Sequence, residues 1–291
     1  MTDPGATVTG LLAGQGYRAE SVRPLGSGLD HTAFEVDGAL VVRVSARAHP
    51  AERALEVDRE TRLLHRIAAI SPLPVPTPLY ADPAGGWLAY RKLPGAPFLG
   101  LPEPAAWATT VGTALGRLLA VLRGQPPEAW AGLVENDDVP PHAWLREARE
   151  TYAAVAASVP PSQRGAVEAF LGAAPPPATT RRVLSHNDLG IEHVLVDPAT
   201  GEVIGVIDWS DAALVDPACD LGLILRDLGP DGLDAALAAL PPDDDDELRT
   251  RATFYARCSA LEDLAYGVGT GRGAYVRNSL AALARLLPPR Q

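Results

Sequence analysis

Between Val183 and Trp209 the chain gathers residues whose types and spacing suit proton transfer and metal binding. A polar loop, Ser185-His186-Asn187-Asp188-Leu189-Gly190-Ile191-Glu192-His193, lies between the apolar runs Val183-Leu184 and Val194-Leu195-Val196. Rigid flanks of this kind hold polar side chains in place. The second run reaches Asp197-Pro198-Ala199-Thr200-Gly201, a hairpin-type turn, and the chain returns through Val203-Ile204-Gly205-Val206-Ile207 to Asp208-Trp209. A turn near Ala199 and Thr200 brings Asp208 within a residue or two of His193, so Asp188, His193 and Asp208 converge at one end of a hairpin. Phosphoryl transfer needs such a set: an acceptor for a hydroxyl proton, and ligands for the magnesium ions that bridge nucleotide phosphates.

The elements that must carry this segment divide into two composition classes. An amphipathic helix is expected up to about Tyr17. Two or three antiparallel strands follow over Val22 to Val44, around Gly26, Gly28 and Gly38. Ala51 to Ala69 reads as a helix with Leu55, Leu63, Leu64 and Ile67 on one buried face. Ser71 to Pro78 is proline-rich and extended, and Trp87-Leu88-Ala89-Tyr90 is a strand ending at the turn signal Pro94-Gly95. Strand signals then vanish for about eighty residues, while Trp107 to Arg123 and Pro141 to Val159 carry apolar residues at helical spacing. A domain boundary is therefore expected near Leu93 to Gly100. Arg182 to Asp208 interrupts the helical half, and helices resume near Cys219. Asp243 to Asp246 reads as a solvated loop or helix start.

Composition narrows the function classes. The formal charge of −11 disfavours a nucleic-acid partner and suits a cationic substrate, although solubility explains it equally well. No run of eighteen apolar residues and no signal-peptide pattern is present, which predicts a soluble, cytoplasmic protein with no membrane partner. Cys219 and Cys258 are too few for a disulfide framework or a zinc ribbon. Lys92 is the only lysine and lies far downstream of the strand run Val41 to Val44, so the usual lysine choices are missing from any phosphate site there.

His186-Asn187-Asp188, then His193, then Ile207-Asp208-Trp209 resembles the aminoglycoside and macrolide phosphotransferase family, antibiotic kinases with a protein-kinase-like fold. The resemblance follows the order of elements over nearly the whole chain. It implies an α+β bilobal architecture: an antiparallel-sheet N-lobe over 1–95 with a hinge near 90–95, and a mainly helical C-lobe over 96–291 with the catalytic loop and hairpin at 184–209. By position, Asp188 corresponds to the catalytic base, His193 to the catalytic-loop metal ligand and Asp208 to the second metal ligand, while His186 supports the loop. Most kinase-like enzymes have asparagine where His193 stands, and imidazole is a poorer partner than oxygen for hard magnesium. Histidine there is what the macrolide and aminoglycoside 2''-phosphotransferases look like. Asp216-Pro217-Ala218-Cys219-Asp220-Leu221 resembles the family's Asp-Pro-x-x-Asp-Leu segment, in which Asp220 braces the loop.

The same resemblance asks the N-lobe for a cation on a strand, oriented by a helix acid. Arg43 is the best placed, with Glu60 as its partner and Glu56 one turn earlier as the alternative. Gly26-Ser27-Gly28 would turn over the phosphates, or make an ordinary hairpin. Arg91 and Leu93 would meet the nucleobase through their backbones. Tyr90 falls near the gatekeeper, where a bulky aromatic implies GTP over ATP; a core tyrosine is the competing reading. Magnesium and ATP or GTP are thus the implied cofactors, and a nucleotide and a small-molecule acceptor the partners of a monomer. Glu192, Glu262 and Asp263 are the acidic candidates for an amine-bearing substrate; for Glu262 and Asp263, on an amphipathic helix with Leu261, Leu264 and Tyr266, a plain solvated face is the competing reading. Three other readings stand beside this one: a zinc or manganese hydrolase built on His186, Asp188, His193 and Asp208, a kinase of another small metabolite in the same fold, and a nucleotide-binding pseudoenzyme with a regulatory partner.

Overall fold

The computed structural model describes residues 4–27, 31–101, 104–242 and 247–288. The chain forms two compact units, Met1–Pro94 and Gly95–Gln291.

In the first unit, helix α1 (Pro4–Ala13) leads into strands β1 (Val22–Ser27), β2 (His31–Val36) and β3 (Leu40–Ser45). Helix α2 (Pro50–Ile70) follows, then β4 (Pro78–Asp82) and β5 (Trp87–Arg91). The five strands form one antiparallel sheet in the order β1-β2-β3-β5-β4. Asp37 (φ 54°) and Gly38 (φ 67°) make the tight turn between β2 and β3, the left-handed pair that a two-residue hairpin loop demands. Strand alternation then sorts the side chains of β3. Leu40 and Val42 join Val8 and Leu12 of α1, with Phe34, Val36 and Trp87, on one face. Val41 joins Val57 of α2, with Leu88 and Tyr90, on the other, and Arg43 follows Val41 by two residues.

Two expectations need correction here. Leu55 is 71% exposed, and Val57 takes the buried position on α2 instead. At 3.6 residues per turn, nine residues place Leu55 half a turn away from Leu64, on the opposite side of the helix. A strand, β4, also begins at Pro78, where the proline run is read only as extended; proline suits the first residue of an edge strand.

The second unit runs through β6 (Ala96–Pro97), α3 (Ala108–Arg123), β7 (Glu135–Asn136), α4 (Pro141–Val155) and α5 (Pro161–Gly172). Strands β8 (Val183–Ser185), β9 (Val194–Val196), β10 (Val203–Val206) and β11 (Ala213–Val215) follow, and α6 (Cys219–Ala238), α7 (Leu248–Thr270) and α8 (Gly273–Leu286) close it. Helices α3 and α6 pack backbone to backbone: a Cβ on Gly112 would stand 2.3 Å from the carbonyl oxygen of Gly232, so only glycine allows the contact. The short strands form two three-stranded sheets, β10-β9-β6 and β7-β11-β8. The polar loop of the sequence connects one to the other, from β8 to β9. Among the described residues no helix is long and apolar enough to cross a membrane. Gly28 and Asp243 to Asp246 lie outside the described residues.

Candidate active site

Two strained backbone positions frame the loop. Among the described residues only three non-glycine residues have positive φ, and two of them are Asn187 (66°) and Asp208 (62°). Such conformations cost free energy and persist where the surroundings over-determine them. Here the restraint is visible. Asp220, buried at the start of α6, accepts the backbone N–H of His186 (2.9 Å) and of Asn187 (3.0 Å) on its two oxygens. His186 is fully buried; its Nε2 donates to the Ile207 carbonyl (3.0 Å) and its Nδ1 accepts the Asp188 N–H (3.3 Å). One imidazole thus ties the Asp188 loop to the end of β10, with its ring 4.5 Å from that of Trp209. Burial pushes its pKa down to about 3, helped by His193, so the ring is neutral. With both nitrogens committed to the backbone, His186 has no lone pair for a metal, which removes a ligand from the hydrolase reading.

The hairpin aligns the rest. Val194 pairs with Val206, and the Ile207 N–H donates to the His193 carbonyl (2.9 Å), which sets Asp208 one residue beyond. His193 Nδ1 lies 2.9 Å from the Asp188 carbonyl oxygen and donates to it, and it is 3.4 Å from Asp188 Oδ2. In the neutral ring this leaves the lone pair on Nε2, 3.8 Å from Asp208 Oδ2. A backbone carbonyl that holds one ring N–H is the usual way to orient a metal-binding histidine. Asp188, Glu192 and His193 also bring one potential ligand atom each within 4.8 Å of one another.

Asp188 lines a cavity of about 310 Å³ with Asn187, Asp211, Arg226, Tyr255, Glu262 and Asp263. Removal from water raises the pKa of its carboxyl, with Glu192 and Asp211 adding to the shift and His193 opposing it. Burial lowers that of His193, but Asp188, Glu192 and Asp208 outweigh it and raise it overall.

Of the proposed acidic contacts, Asp263 is 2.9 Å from Arg226 and Glu192 is 3.8 Å from it, while Glu262 is exposed. Arg226 and its neighbour Asp227 were not legible in the sequence. They sit in an apolar helix stretch, Leu221 to Leu228, where a charged pair carries no motif.

In the first unit, Arg43 Nη1 lies 2.7 Å from Glu60 Oε1, both largely buried, and Nη2 is 2.8 Å from His31 Nδ1. Glu56, the alternative partner, is paired with Arg47 (3.3 Å) and bonded by Ser45. The sole lysine, Lys92, pairs with buried Glu35, which Arg23 also contacts. Gly26 stands at a register irregularity of β1, and Ser27 ends that strand. Tyr90 is buried among Val41, Val57 and Leu88, with Arg91 exposed at the end of β5 and Leu93 half-buried beyond it.

This is the architecture of a kinase: an antiparallel-sheet N-lobe and a helical C-lobe carrying a hairpin-closed polar loop. The phosphotransferase enzyme family model matches residues 21–255, and the chain belongs to that family. Solved structures agree over almost the full length. One is the GDP and kanamycin complex of APH(2")-IIia, with 21% identity, TM-score 0.70 and 97% of each chain covered. Another is macrolide 2'-phosphotransferase type I, with 22% identity, TM-score 0.63 and 96% of each chain covered. A third is the apoenzyme of macrolide 2'-phosphotransferase MphH from Brachybacterium faecium, with 27% identity, TM-score 0.61 and 98% of each chain covered. No match is found among the curated proteins.

Proposed function

We propose that this phosphotransferase moves the γ-phosphoryl group of ATP or GTP to a hydroxyl of a small molecule, an antibiotic of the aminoglycoside or macrolide kind. The observation that carries the reading is the position of Asp188: its carboxylate lines a cavity on one side and meets His193, paired with Asp208, on the other. A hydroxyl acceptor in that cavity gives its proton to Asp188 as it attacks the γ-phosphorus. The raised pKa keeps that carboxylate basic enough for the task.

The donor set fits magnesium. Asp208 offers a carboxylate oxygen, and His193 offers Nε2 with its other nitrogen held by the Asp188 carbonyl. Held there, the ion would supply positive charge to offset that developing on the transferred phosphoryl group. In the first unit, Arg43, held by Glu60, orders the phosphates of the nucleotide, with Gly26 and Ser27 turning over them; the backbones of Arg91 and Leu93 hold the base, with Tyr90 beside it. The bulk of Tyr90 favours GTP. We place the reaction in the cytoplasm, where nucleoside triphosphates are available, and in a monomer.

The deciding experiment is a nucleotide-turnover screen against aminoglycosides, macrolides and cyclic peptide antibiotics, with ATP and GTP in parallel. Consumption that depends on one acceptor class is expected. Hydrolysis indifferent to every hydroxyl acceptor, or tightly bound zinc in protein prepared without chelator, would overturn the reading.

A further inference from the structure

The acidic wall of the Asp188 cavity already contains a cation. Arg226 of α6 is 3% exposed and lines the cavity. Its Nε and Nη2 each donate to Asp227 over 2.8 Å, its Nη1 lies 2.9 Å from Asp263 of α7, and its Nη2 is 3.8 Å from Glu192 of the loop. Asp227 is spent in turn on the Ile191 N–H (3.2 Å) and on Asn278 of α8 (2.7 Å). Arg285 caps the Arg226 carbonyl at 2.7 Å. A guanidinium held by a bidentate carboxylate and a second acid, away from water, does not yield its place to an incoming amine, because removing it leaves buried charges unpaired.

Glu262, next to Asp263 on the same helix, is different. It also lines the cavity, and among the described residues it makes no ion pair; Glu147 of α4 is near enough to repel it, and Arg226 acts on it only from beyond ion-pair distance. Of the acidic residues expected to bind amines, two are therefore ion-paired with an internal cation, and the third, Glu262, lines the cavity outside ion-pair distance of it.

We propose that Arg226 is a specificity-determining residue. It occupies Asp263 on the cavity wall, and Glu192 of the loop, as a built-in stand-in for a substrate ammonium group, so that the cavity takes a hydroxyl acceptor with a single cationic group, held at Glu262, in preference to a polyamine. This rests on the reading of the cavity as the acceptor site.

The test uses the full-length protein and two probes, the polyamine kanamycin and a macrolide bearing one tertiary amine. Calorimetric affinities are measured over a range of salt, because each ion pair formed with a ligand steepens the salt dependence. In the wild type both probes should show similar slopes, with the macrolide binding at least as tightly. Glu262→Gln should weaken the macrolide about tenfold. Arg226→Gln, which frees Asp263 and Glu192, should tighten kanamycin relative to the macrolide by about tenfold or more and steepen only the kanamycin slope. Tighter binding of kanamycin to the wild type with a markedly steeper slope would overturn the proposal, and so would an unchanged affinity ratio in folded Arg226→Gln. Should that variant not fold, the wild-type slopes and Glu262→Gln still decide. Turnover of the same probes is recorded separately, so that selective binding without phosphoryl transfer counts against the proposed reaction and not against the role of Arg226.

Discussion

Asp220 accepts the backbone N–H of His186 over 2.9 Å, and its other oxygen accepts the next N–H along the chain, that of Asn187, over 3.0 Å. A buried carboxylate at a helix start thereby holds the left-handed turn that presents Asp188. Burial pushes its pKa up to about 6, opposed by the N–H of His186, by Arg123 and by the N–H of Asn187. Asp220→Asn replaces one acceptor by a donor and sets it against an N–H group. A loss of about 1–3 kcal/mol in denaturant unfolding is expected, the cost of a buried polar group left unsatisfied. Turnover should fall at least about tenfold with nucleotide affinity kept, since the substitution misplaces Asp188 without touching the first unit.

Asp188→Ala removes the proposed base and keeps the fold, because the main-chain contacts of residue 188 with His186 and His193 survive. Turnover should drop at least about a hundredfold, the usual scale for a general base, with little change in nucleotide affinity. Wild-type-like turnover would dismiss Asp188 from the reaction.

His193 carries a pH dependence. Its pKa lies above the ordinary histidine value because Asp188, Glu192 and Asp208 outweigh burial. Protonation takes the Nε2 lone pair that faces Asp208, so the magnesium concentration needed for half-maximal activity should rise as pH falls, and should begin to rise at a higher pH than for an ordinary histidine. His193→Asn supplies an oxygen with no such titration, and its magnesium requirement should be flat over the same range.

His186 gives the opposite kind of signal, in stability. Its folded pKa, about 3, lies below the unfolded value of 6.5, so the unfolded chain binds the extra proton between those values. The stabilisation is fully present above about pH 6.5 and is lost as pH falls towards 3. Between pH 7 and pH 5 this amounts to about 2 kcal/mol. Denaturant unfolding of the wild type and His186→Gln at the two pH values should show that difference, with the variant less pH-sensitive.

Arg43→Ala should weaken nucleotide binding at least about tenfold and destabilise the first unit, because Glu60 loses its ion-pair partner in a largely buried setting. Arg43→Lys keeps the charge but not the forked geometry, and should recover only part of the affinity. Titration calorimetry with ATP and GTP measures both effects.

Much of this protein is readable along the chain, because hairpins and helix faces are local. The turn from Asp197 to Gly201 and the apolar runs on either side place Asp208 beside His193 by period-two pairing alone, and the register bears this out. The strand alternation that directs Val41 and Arg43 to one face of the sheet is equally local, and Glu60 lies on the α2 face with Leu64 and Ile67. Leu55 shows the limit of composition read without phase: it is apolar, but it stands half a turn from the buried stripe.

What only the tertiary structure decided depends on contacts between distant segments. Arg226, Asp227, Glu192, Asp263 and Asn278 come from a loop and three helices, and no local period relates them. Glu192, Asp263 and Glu262 look alike as acidic residues in the sequence. Packing of α6 against α7 and the loop pairs two of them with an internal cation and leaves the third lining the cavity without an ion pair.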